Sequence, residues 1–387
     1  MAYDFDKLTV RRGTDCYKWD VDAPDSDVIP MWVADMDFEA APKIVEALRR
    51  RVDHAVFGYT KMPQGLHDAV TGWYARRYGC RVEADWLLYT PGVIPALSAI
   101  IKTVAGDGGC GVLTQTPAYN HFFSSIRNNR CHLVESKLVA QGDTYVVDFD
   151  DFERKAALPE TKIFLLCSPH NPVGRVWTEG ELRRMAEICK RHGVLVVADE
   201  IHSGIIMKPN VFVPFGNVGE EFQDNAVIVS SCTKSFNLAG LQISYIVARD
   251  PKLRRAIDRT ININEVCDIN AFGVVALQTA FNECEDWLGE MCDYVWGNYE
   301  VLRRFLAERL PSWGLTRLEA TYLAWVDCRS TGLTSERLGA KLLREARVRV
   351  SSGDIYGEPG GFLRLNLAMP RARLVDALGR VAKAMGA

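Results

Sequence analysis

The sequence predicts an α/β protein with a large domain of mostly parallel sheet and a small α+β domain. From about residue 40, short apolar runs typical of buried strands alternate with apolar residues at helical spacing, a pattern that indicates βαβ units. Two long helical patterns follow, and a mixed order of strand and helix patterns begins at about residue 313. We therefore place the large domain at 46–283 and build the small domain from both chain ends, 1–45 and 284–387.

The individual elements follow from apolar periodicity and from the turn residues between them. Helical spacing predicts a helix that starts near Pro95 and helices over 41–52, 64–78, 179–191, 251–284, 286–310, 335–346 and 372–385. Short apolar runs with turn residues after them predict strands at 87–90, 111–114, 131–134, 162–167, 194–199 and 226–230. Further strands are expected beyond residue 313.

Composition and charge exclude several classes of partner. Of the 387 residues, 48% are apolar and 25% are charged, as in soluble globular proteins. The formal net charge of −3 gives no reason to expect nucleic acid or an acidic membrane as a partner. No apolar run approaches the roughly 18 residues that a membrane span needs. The first 15 residues contain no apolar signal core, so we expect a cytoplasmic protein.

The 11 cysteines and seven histidines lack the spacing of metal or redox motifs. No two cysteines lie within four positions of each other, and no HxH or HxxxH pair occurs. We therefore expect reduced, buried thiols and no metal site.

Four residues whose side chains could bind a ligand lie at or just beyond the carboxyl ends of four different predicted strands. They are Tyr119, Asn171, Asp199 and Lys234, the last in the hydroxyl-rich stretch SSCTKS. Because ligands bind beyond the carboxyl ends of strands in open parallel sheets, we expect these side chains to surround one site. A ring, an amide, a carboxylate and an amine together suit pyridoxal phosphate as a cofactor.

Pyridoxal phosphate requires each of these groups for a physical reason. A lysine amine forms a Schiff base with the aldehyde of the cofactor. An acid beside the pyridine nitrogen keeps that nitrogen protonated, which makes the ring an electron sink. A flat side chain supports the ring, and backbone amides at the start of a helix suit the phosphate.

Nine segments of the chain, in this order and spacing, resemble the fold-type I pyridoxal-phosphate enzymes of the aminotransferase class I/II superfamily. They are MWVADMDFEAAPKI (31–44), FGYT (57–60), YTPGVIPALSAII (89–101), TPAYNHFF (116–123), CSPHNPVGRVW (167–177), VADEIHSGI (197–205), TKSFNLAGLQISY (233–245), ATYLAW (320–325) and RLNLAMPR (364–371). They are most similar to the branch of cystathionine β-lyases, or cysteine-S-conjugate carbon–sulfur lyases, of the MalY/PatB type. The resemblance implies an aspartate-aminotransferase-like fold.

The resemblance also implies roles for the residues around the cofactor ring. Lys234 is the Schiff-base lysine and the proton shuttle, and Asp199 pairs with the pyridinium nitrogen. Asn171 donates a hydrogen bond to the ring oxygen, and Tyr119 stacks on the ring. His202 lies near the edge that Asn171 contacts, either as a ligand or as a packing residue.

The same resemblance assigns the phosphate-binding groups. Gly92, Val93 and Ile94 offer backbone amides at the start of a helix, and Ser231, three residues before the lysine, offers a hydroxyl. Tyr59 matches a tyrosine that reaches the phosphate from the neighbouring subunit. The resemblance therefore implies a homodimer with shared active sites.

Two further positions concern the substrate and the choice of reaction. Arg364 matches the arginine that binds the substrate carboxylate, where the bidentate fork of a guanidinium fits. Many aminotransferases of the superfamily carry an arginine eight positions after the lysine, whereas this chain has Gln242. Gln242 favours the lyase branch and leaves open which group neutralises the phosphate. Cis peptide bonds are expected at Thr116-Pro117 and Asn171-Pro172, in loops that face the ring.

The predicted reaction is α,β-elimination from L-cystathionine or another L-cysteine S-conjugate, which gives a thiol, pyruvate and ammonia. An aminotransferase on the same scaffold is the alternative, because the residue types do not separate the two reactions. A third hypothesis is a non-catalytic pyridoxal-phosphate-binding regulator. Such regulators add a DNA-binding domain, and no basic helix-turn-helix segment precedes the family pattern in this sequence.

Overall fold

The computed structural model of the chain describes residues 2–23, 26–265 and 268–387. The strands are β1 Ile29–Met31, β2 Leu87–Thr90, β3 Gly111–Thr116, β4 His132–Gln141, β5 Thr144–Val147, β6 Thr161–Cys167, β7 Leu195–Asp199, β8 Ala226–Ser230, β9 Ser244–Ala248, β10 Gly314–Leu315, β11 Leu323–Asp327, β12 Val348–Ser352 and β13 Phe362–Asn366. The helices are α1 Pro42–Asp53, α2 Gln64–Tyr78, α3 Val93–Ala105, α4 Asn120–Asn128, α5 Phe149–Ala156, α6 Glu179–Arg191, α7 Pro251–Ile263, α8 Ala271–Glu283, α9 Glu285–Arg309, α10 Ser335–Lys341 and α11 Arg371–Met385. Among these described helices, none is long and apolar enough to span a membrane.

The larger sheet has eight strands in the order β2-β9-β8-β7-β6-β3-β4-β5. Neighbouring strands from β8 to β4 pair in parallel, whereas β9 and β5 run antiparallel to their neighbours. Buried apolar side chains lie on both faces of the sheet, in two separate clusters. The mostly parallel, buried sheet that the sequence predicts is therefore confirmed.

The smaller sheet has five strands in the order β1-β12-β13-β11-β10. Strand β1 comes from the N-terminal part of the chain and pairs in parallel with β12, with Ile29 opposite Val348. Both ends of the chain thus contribute to this sheet. The domain limits themselves stay a prediction, and the predicted limit at residue 46 lies inside α1, which packs against α8.

Some elements differ from the sequence-based prediction for identifiable reasons. The predicted helix over 251–284 is two helices, α7 and α8, and residues 266 and 267 of the connection lie outside the described residues. Strand β4 continues to Gln141 because it pairs with β5 at the sheet edge, where exposed and buried side chains alternate and the apolar run is short. The helix predicted over 335–346 ends as a π-helical turn at Leu342–Ala346.

Residues 32–38, between β1 and α1, form neither strand nor helix. We call them the linking segment, because side chains from the small sheet and from the region beyond β8 both bind them. Asn366 of β13 donates from Nδ2 to the carbonyls of Val33 (2.6 Å) and Asp35 (2.7 Å). Asn237, beyond β8, accepts from the Met36 amide (2.9 Å) and donates to the carbonyl of Phe38 (2.8 Å). These two side chains satisfy backbone groups that no strand partner reaches, so the linking segment is fixed at the carboxyl edge of the large sheet.

Candidate active site

A cavity of about 230 Å³ lies at the carboxyl edge of the large sheet. The residues after β2, β3, β6, β7 and β8 form most of its wall. Eight of the residues that the sequence resemblance assigns to the cofactor line it, namely Gly92, Val93, Ile94, Tyr119, Asn171, Asp199, His202 and Lys234. The parallel topology therefore brings together residues that are up to 142 positions apart in the sequence, from Gly92 to Lys234.

Lys234 carries the only cationic side chain in the described wall of the cavity. Its Nζ donates a hydrogen bond of 2.7 Å to the carbonyl of Ala34 in the linking segment. Desolvation lowers the pKa of Lys234 to about 8, while the charges of Asp35 and Asp199 oppose that shift. This lowered pKa makes the neutral, nucleophilic fraction of the amine near neutral pH far larger than that of an exposed lysine.

Asp199 is a buried carboxyl group that also lines the cavity. Its side chain accepts a hydrogen bond from the Ile201 amide (3.1 Å). Burial raises the pKa of Asp199 to about 7, against the lowering effects of that hydrogen bond and of Lys234. A desolvated carboxyl group of this kind gains free energy when a cationic N–H donor pairs with it, as a protonated pyridine nitrogen would.

The neighbouring acid, Glu200, is buried but bonds away from the cavity. It accepts hydrogen bonds from the amide of Phe215 (2.7 Å) and the hydroxyl of Tyr74 (3.3 Å). Successive residues at the end of a strand point to opposite faces, which separates the two acids. Asp199 is therefore the carboxyl group available to a ligand in the cavity.

Arg364 of β13 brings a buried cation to the edge of the site, although it is not part of the cavity wall itself. Its side chain is 4% exposed, and its Nη1 donates to Oδ1 of Asn171 (3.1 Å). Nη2 donates to the carbonyl of Trp32 (2.9 Å). Because Oδ1 of Asn171 accepts from Arg364, its Nδ2 group is the end that remains to donate to a ligand.

The remaining ring-side residues, Tyr119 and His202, are uncharged in this environment. Tyr119 lies immediately before α4, and burial raises the pKa of its hydroxyl. Burial lowers the pKa of His202 to about 3, and the charges of Lys234 and Arg364 act in the same direction. Nδ1 of His202 is buried and has no hydrogen-bond partner within the described part of the chain. The cavity is thus lined by a neutral imidazole that has one unused nitrogen.

The other end of the cavity offers backbone donors at the start of α3. The helix begins at Val93, directly after Gly92, so the amides of Val93 and Ile94 have no partner in the preceding turn of the helix. The third helical residue is Pro95, which has no amide to donate. A helix N-terminus attracts anions through these amides and the helix dipole. Gln242 also lines the cavity, and it adds no charge.

Two of the predicted phosphate ligands do not reach the cavity in a single chain. Ser231 does not line it, because its hydroxyl lies 2.6 Å from the carbonyl of Ile243 and accepts from the Thr233 amide. Thr233 lines the cavity instead, and the sequence reasoning missed it. Tyr59 lies between α1 and α2 with 99% of its surface exposed.

These residues fit pyridoxal phosphate. The unpaired imidazole nitrogen of His202 and the desolvated carboxyl of Asp199 are polar groups that a ligand would complete. Lys234 supplies the amine that the aldehyde requires, and the start of α3 supplies donors for the phosphate. The expected peptide bonds at Thr116-Pro117 and Asn171-Pro172 are both cis.

Comparison with known proteins decides the family. The family model described as aminotransferase class I and II matches residues 26–381. The chain belongs to this aminotransferase family. Cystathionine β-lyase PatB of Bacillus subtilis (strain 168) is 37% identical over 99% of the chain and 100% of its own length. The resemblance drawn from the sequence motifs is therefore confirmed.

Two solved structures share the fold over almost the whole chain. Cystalysin of Treponema denticola, which contains a pyridoxal 5′-phosphate cofactor, has a TM-score of 0.96 and 30% identity, and the match covers 100% of this chain and 99% of cystalysin. The pyridoxal-phosphate-bound carbon–sulfur lyase of Staphylococcus hominis has a TM-score of 0.92 and 30% identity, with 99% of each chain covered. The predicted aspartate-aminotransferase-like fold is confirmed by these matches.

The lowered pKa of Lys234 leads to a prediction for the protein from which any cofactor has been removed. Because the pKa is lowered from 10.5 to about 8, Lys234 should react with an acylating reagent at lower pH than an exposed lysine does. Labelling across a pH series, followed by mass spectrometry of the peptides, measures this, with the exposed Lys252 as the internal control. If Lys234 and Lys252 reacted with the same dependence on pH, a lowered pKa of Lys234 would be contradicted.

Proposed function

We propose that the protein is a pyridoxal-phosphate-dependent carbon–sulfur lyase that acts on L-cystathionine or another L-cysteine S-conjugate. The reaction consumes one water and yields a thiol, pyruvate and ammonia. The observation that carries this proposal is the pairing of a desolvated amine, Lys234, and a desolvated carboxyl group, Asp199, in one cavity. The full-length similarity to cystathionine β-lyase PatB supports the choice of reaction.

The chain's own residues would hold the cofactor in a defined orientation. Lys234 would hold its aldehyde carbon, and Asp199 would keep a proton on its pyridine nitrogen. Asn171 would donate to the ring oxygen, Tyr119 would support the ring, and the amides at the start of α3, with Thr233, would receive the phosphate. When bound, the protonated ring withdraws electrons from the substrate's α-carbon.

The substrate is held by its α-carboxylate and deprotonated at the α-carbon. Arg364 is the group that receives the carboxylate, because it is a buried cation whose Nε has no partner in the described residues. Once free, the Lys234 amine removes the α-proton, a step that needs the base within hydrogen-bond reach of that carbon. The electron pair of the broken Cα–H bond then expels the thiolate from the β-carbon.

An aminotransferase uses the same residues up to the loss of the α-proton, and the family name keeps this alternative in view. The two reactions differ in whether the sulfur leaves. An elimination releases thiol, whereas a transamination retains the sulfur in a keto acid. The uncharged Gln242 in the cavity wall favours the lyase.

We also keep the prediction from the sequence that the protein is located in the cytoplasm.

We also infer that two chains form a homodimer in which each site receives Tyr59 from the partner subunit. The segment between α1 and α2 exposes large apolar side chains, among them Val56, Phe57 and Met62. Phe57 lies against Phe272 of α8, with ring centroids 5.7 Å apart, which gives this apolar patch a fixed shape. Exposed apolar groups in one patch are typical of a surface that a partner covers.

The lyase assignment predicts the products of a simple incubation. With L-cystathionine, the purified holoenzyme should release thiol and pyruvate in equal amounts, and Lys234→Ala should lose at least about a thousandfold in kcat, as expected when the base and covalent anchor are both removed. Lys252→Ala, an exposed position, is the matched control. Consumption of the substrate without release of thiol would establish transamination, and no consumption would contradict both enzymatic assignments.

The dimer assignment predicts a mass of about twice the 43.3 kDa of one chain in light scattering. Tyr59→Phe should leave that mass unchanged and weaken cofactor binding by roughly tenfold, because one hydrogen bond to a charged group is lost. Equilibrium dialysis against pyridoxal phosphate measures the binding. Monomers with full activity, or a Tyr59→Phe variant with unchanged affinity, would contradict the shared site.

A further inference from the structure

Arg364 sits in a pocket of neutral groups that leaves its charge uncompensated. Its three described hydrogen-bond acceptors are Oδ1 of Asn171 (3.1 Å), the carbonyl of Trp32 (2.9 Å) and, at a longer 3.5 Å, the hydroxyl of Ser351. Within the described residues, no carboxylate forms an ion pair with Arg364. A buried guanidinium without a counter-ion is suited to receive an anionic ligand. Its N–H groups lie in the guanidinium plane, so these hydrogen bonds cover neither face of that plane.

Tyr356 covers a face of that guanidinium. The Cζ atom of Arg364 lies 4.7 Å from the centroid of the Tyr356 ring, within the range of a cation–π contact. Tyr356 is only 1% exposed, and the edge of Trp325 packs against it at 5.8 Å and 88°. Trp325 in turn stacks on Phe362 at 5.3 Å and 10°. The ring of Tyr356 therefore has no room to turn away from the guanidinium.

The backbone of Tyr356 reaches the cofactor side of the site as well. Its carbonyl accepts a hydrogen bond of 3.0 Å from the amide of Ala118, the residue before Tyr119. Tyr356 follows β12 in the small sheet, whereas Tyr119 follows β3 in the large sheet. One residue thus connects the guanidinium of Arg364 to the loop that carries the ring-stacking tyrosine.

We propose that Tyr356 is a positioning residue that fixes the plane of the Arg364 guanidinium for the α-carboxylate of the substrate. The proposal rests on the function proposed above. The ring occupies a face of the guanidinium, so the plane that contains the N–H donors is held in one orientation when a carboxylate approaches. Burial raises the pKa of Tyr356, so its phenol stays neutral beside the cation. The ring attracts the Arg364 cation and leaves its positive charge available for a ligand, whereas a carboxylate partner from the chain would neutralise that charge.

Two substitutions of Tyr356 in the holoenzyme separate the aromatic face from the hydroxyl group. Tyr356→Phe keeps the face and should stay within about threefold of the parent in kcat/KM. Tyr356→Leu removes the face, and kcat/KM should fall on the order of tenfold, mainly through a higher KM. A loss of this size is in the range expected for a buried cation–π contact. Phe152→Leu, another fully buried aromatic that packs on Phe164 away from the cavity, is the control for general loss of packing and should leave KM unchanged.

A second readout distinguishes positioning of Arg364 from a structural role of Tyr356. The dissociation constants of an unreactive L-amino acid and of its carboxamide are measured from the visible absorbance of the bound cofactor. Tyr356→Leu should weaken binding of the amino acid by about tenfold and of the carboxamide by less than about twofold, because only the carboxylate needs the oriented guanidinium. Equal weakening of both ligands would overturn the proposal.

If Tyr356→Leu does not fold, ring-fluorinated phenylalanines at position 356 provide the same test with almost unchanged shape. Each added fluorine withdraws electron density from the ring face, so the dissociation constant of the amino acid should rise stepwise while that of the carboxamide stays constant. A constant value across the series would overturn the proposal. Because this measurement needs no turnover, an absence of thiol release would contradict the proposed lyase reaction without affecting the result for Tyr356.

Discussion

The hydrogen bond from Lys234 to the carbonyl of Ala34 is the contact on which the candidate site depends. Ala34 belongs to the linking segment, and the hydroxyl of Tyr322 donates to the same carbonyl (2.9 Å). Asn366 of the small sheet fixes the backbone on both sides of Ala34. The amine that the chemistry needs, on the large-sheet side, is therefore held by a backbone atom that the small sheet positions, so a shift of one sheet against the other would move the two apart.

Several polar groups of the cavity lack a partner within the described residues, and a ligand could supply one. Desolvation lowers the pKa of Lys234 to about 8 and raises that of Asp199 to about 7, so both charged forms are disfavoured by the same loss of water. A group that brings a cationic nitrogen to Asp199 and a reactive carbonyl to Lys234 relieves both penalties. An anion at the start of α3 would also complete the unpaired amides of that helix. The free energy of cofactor binding thus comes in part from polar groups that the chain leaves unsatisfied.

The sequence predicts the large sheet and its ligand edge well because β6, β7 and β8 are short apolar runs buried on both faces. Once these strands are parallel, Asn171, Asp199 and Lys234 must lie at one edge. The hydroxyl of the SSCTK stretch is less predictable, since Ser231 and Thr233 are of the same chemical type and the turn after β8 decides which of them faces the cavity. Contacts through backbone atoms, such as the carbonyl of Ala34, leave no signal in the side-chain pattern.

Residues that act between the two sheets are the hardest to find from the sequence. Tyr356 is an aromatic residue in a core-like pattern, and only the distance to Arg364 distinguishes it from ordinary packing.

The role of Lys234 as the base is tested most directly by exchange of the α-proton of an unreactive L-amino acid with deuterated solvent, followed by proton NMR. We predict exchange by the parent holoenzyme, no exchange by Lys234→Ala, and partial recovery when a small primary amine is added. Exchange by Lys234→Ala at the parent rate, without added amine, would contradict this role.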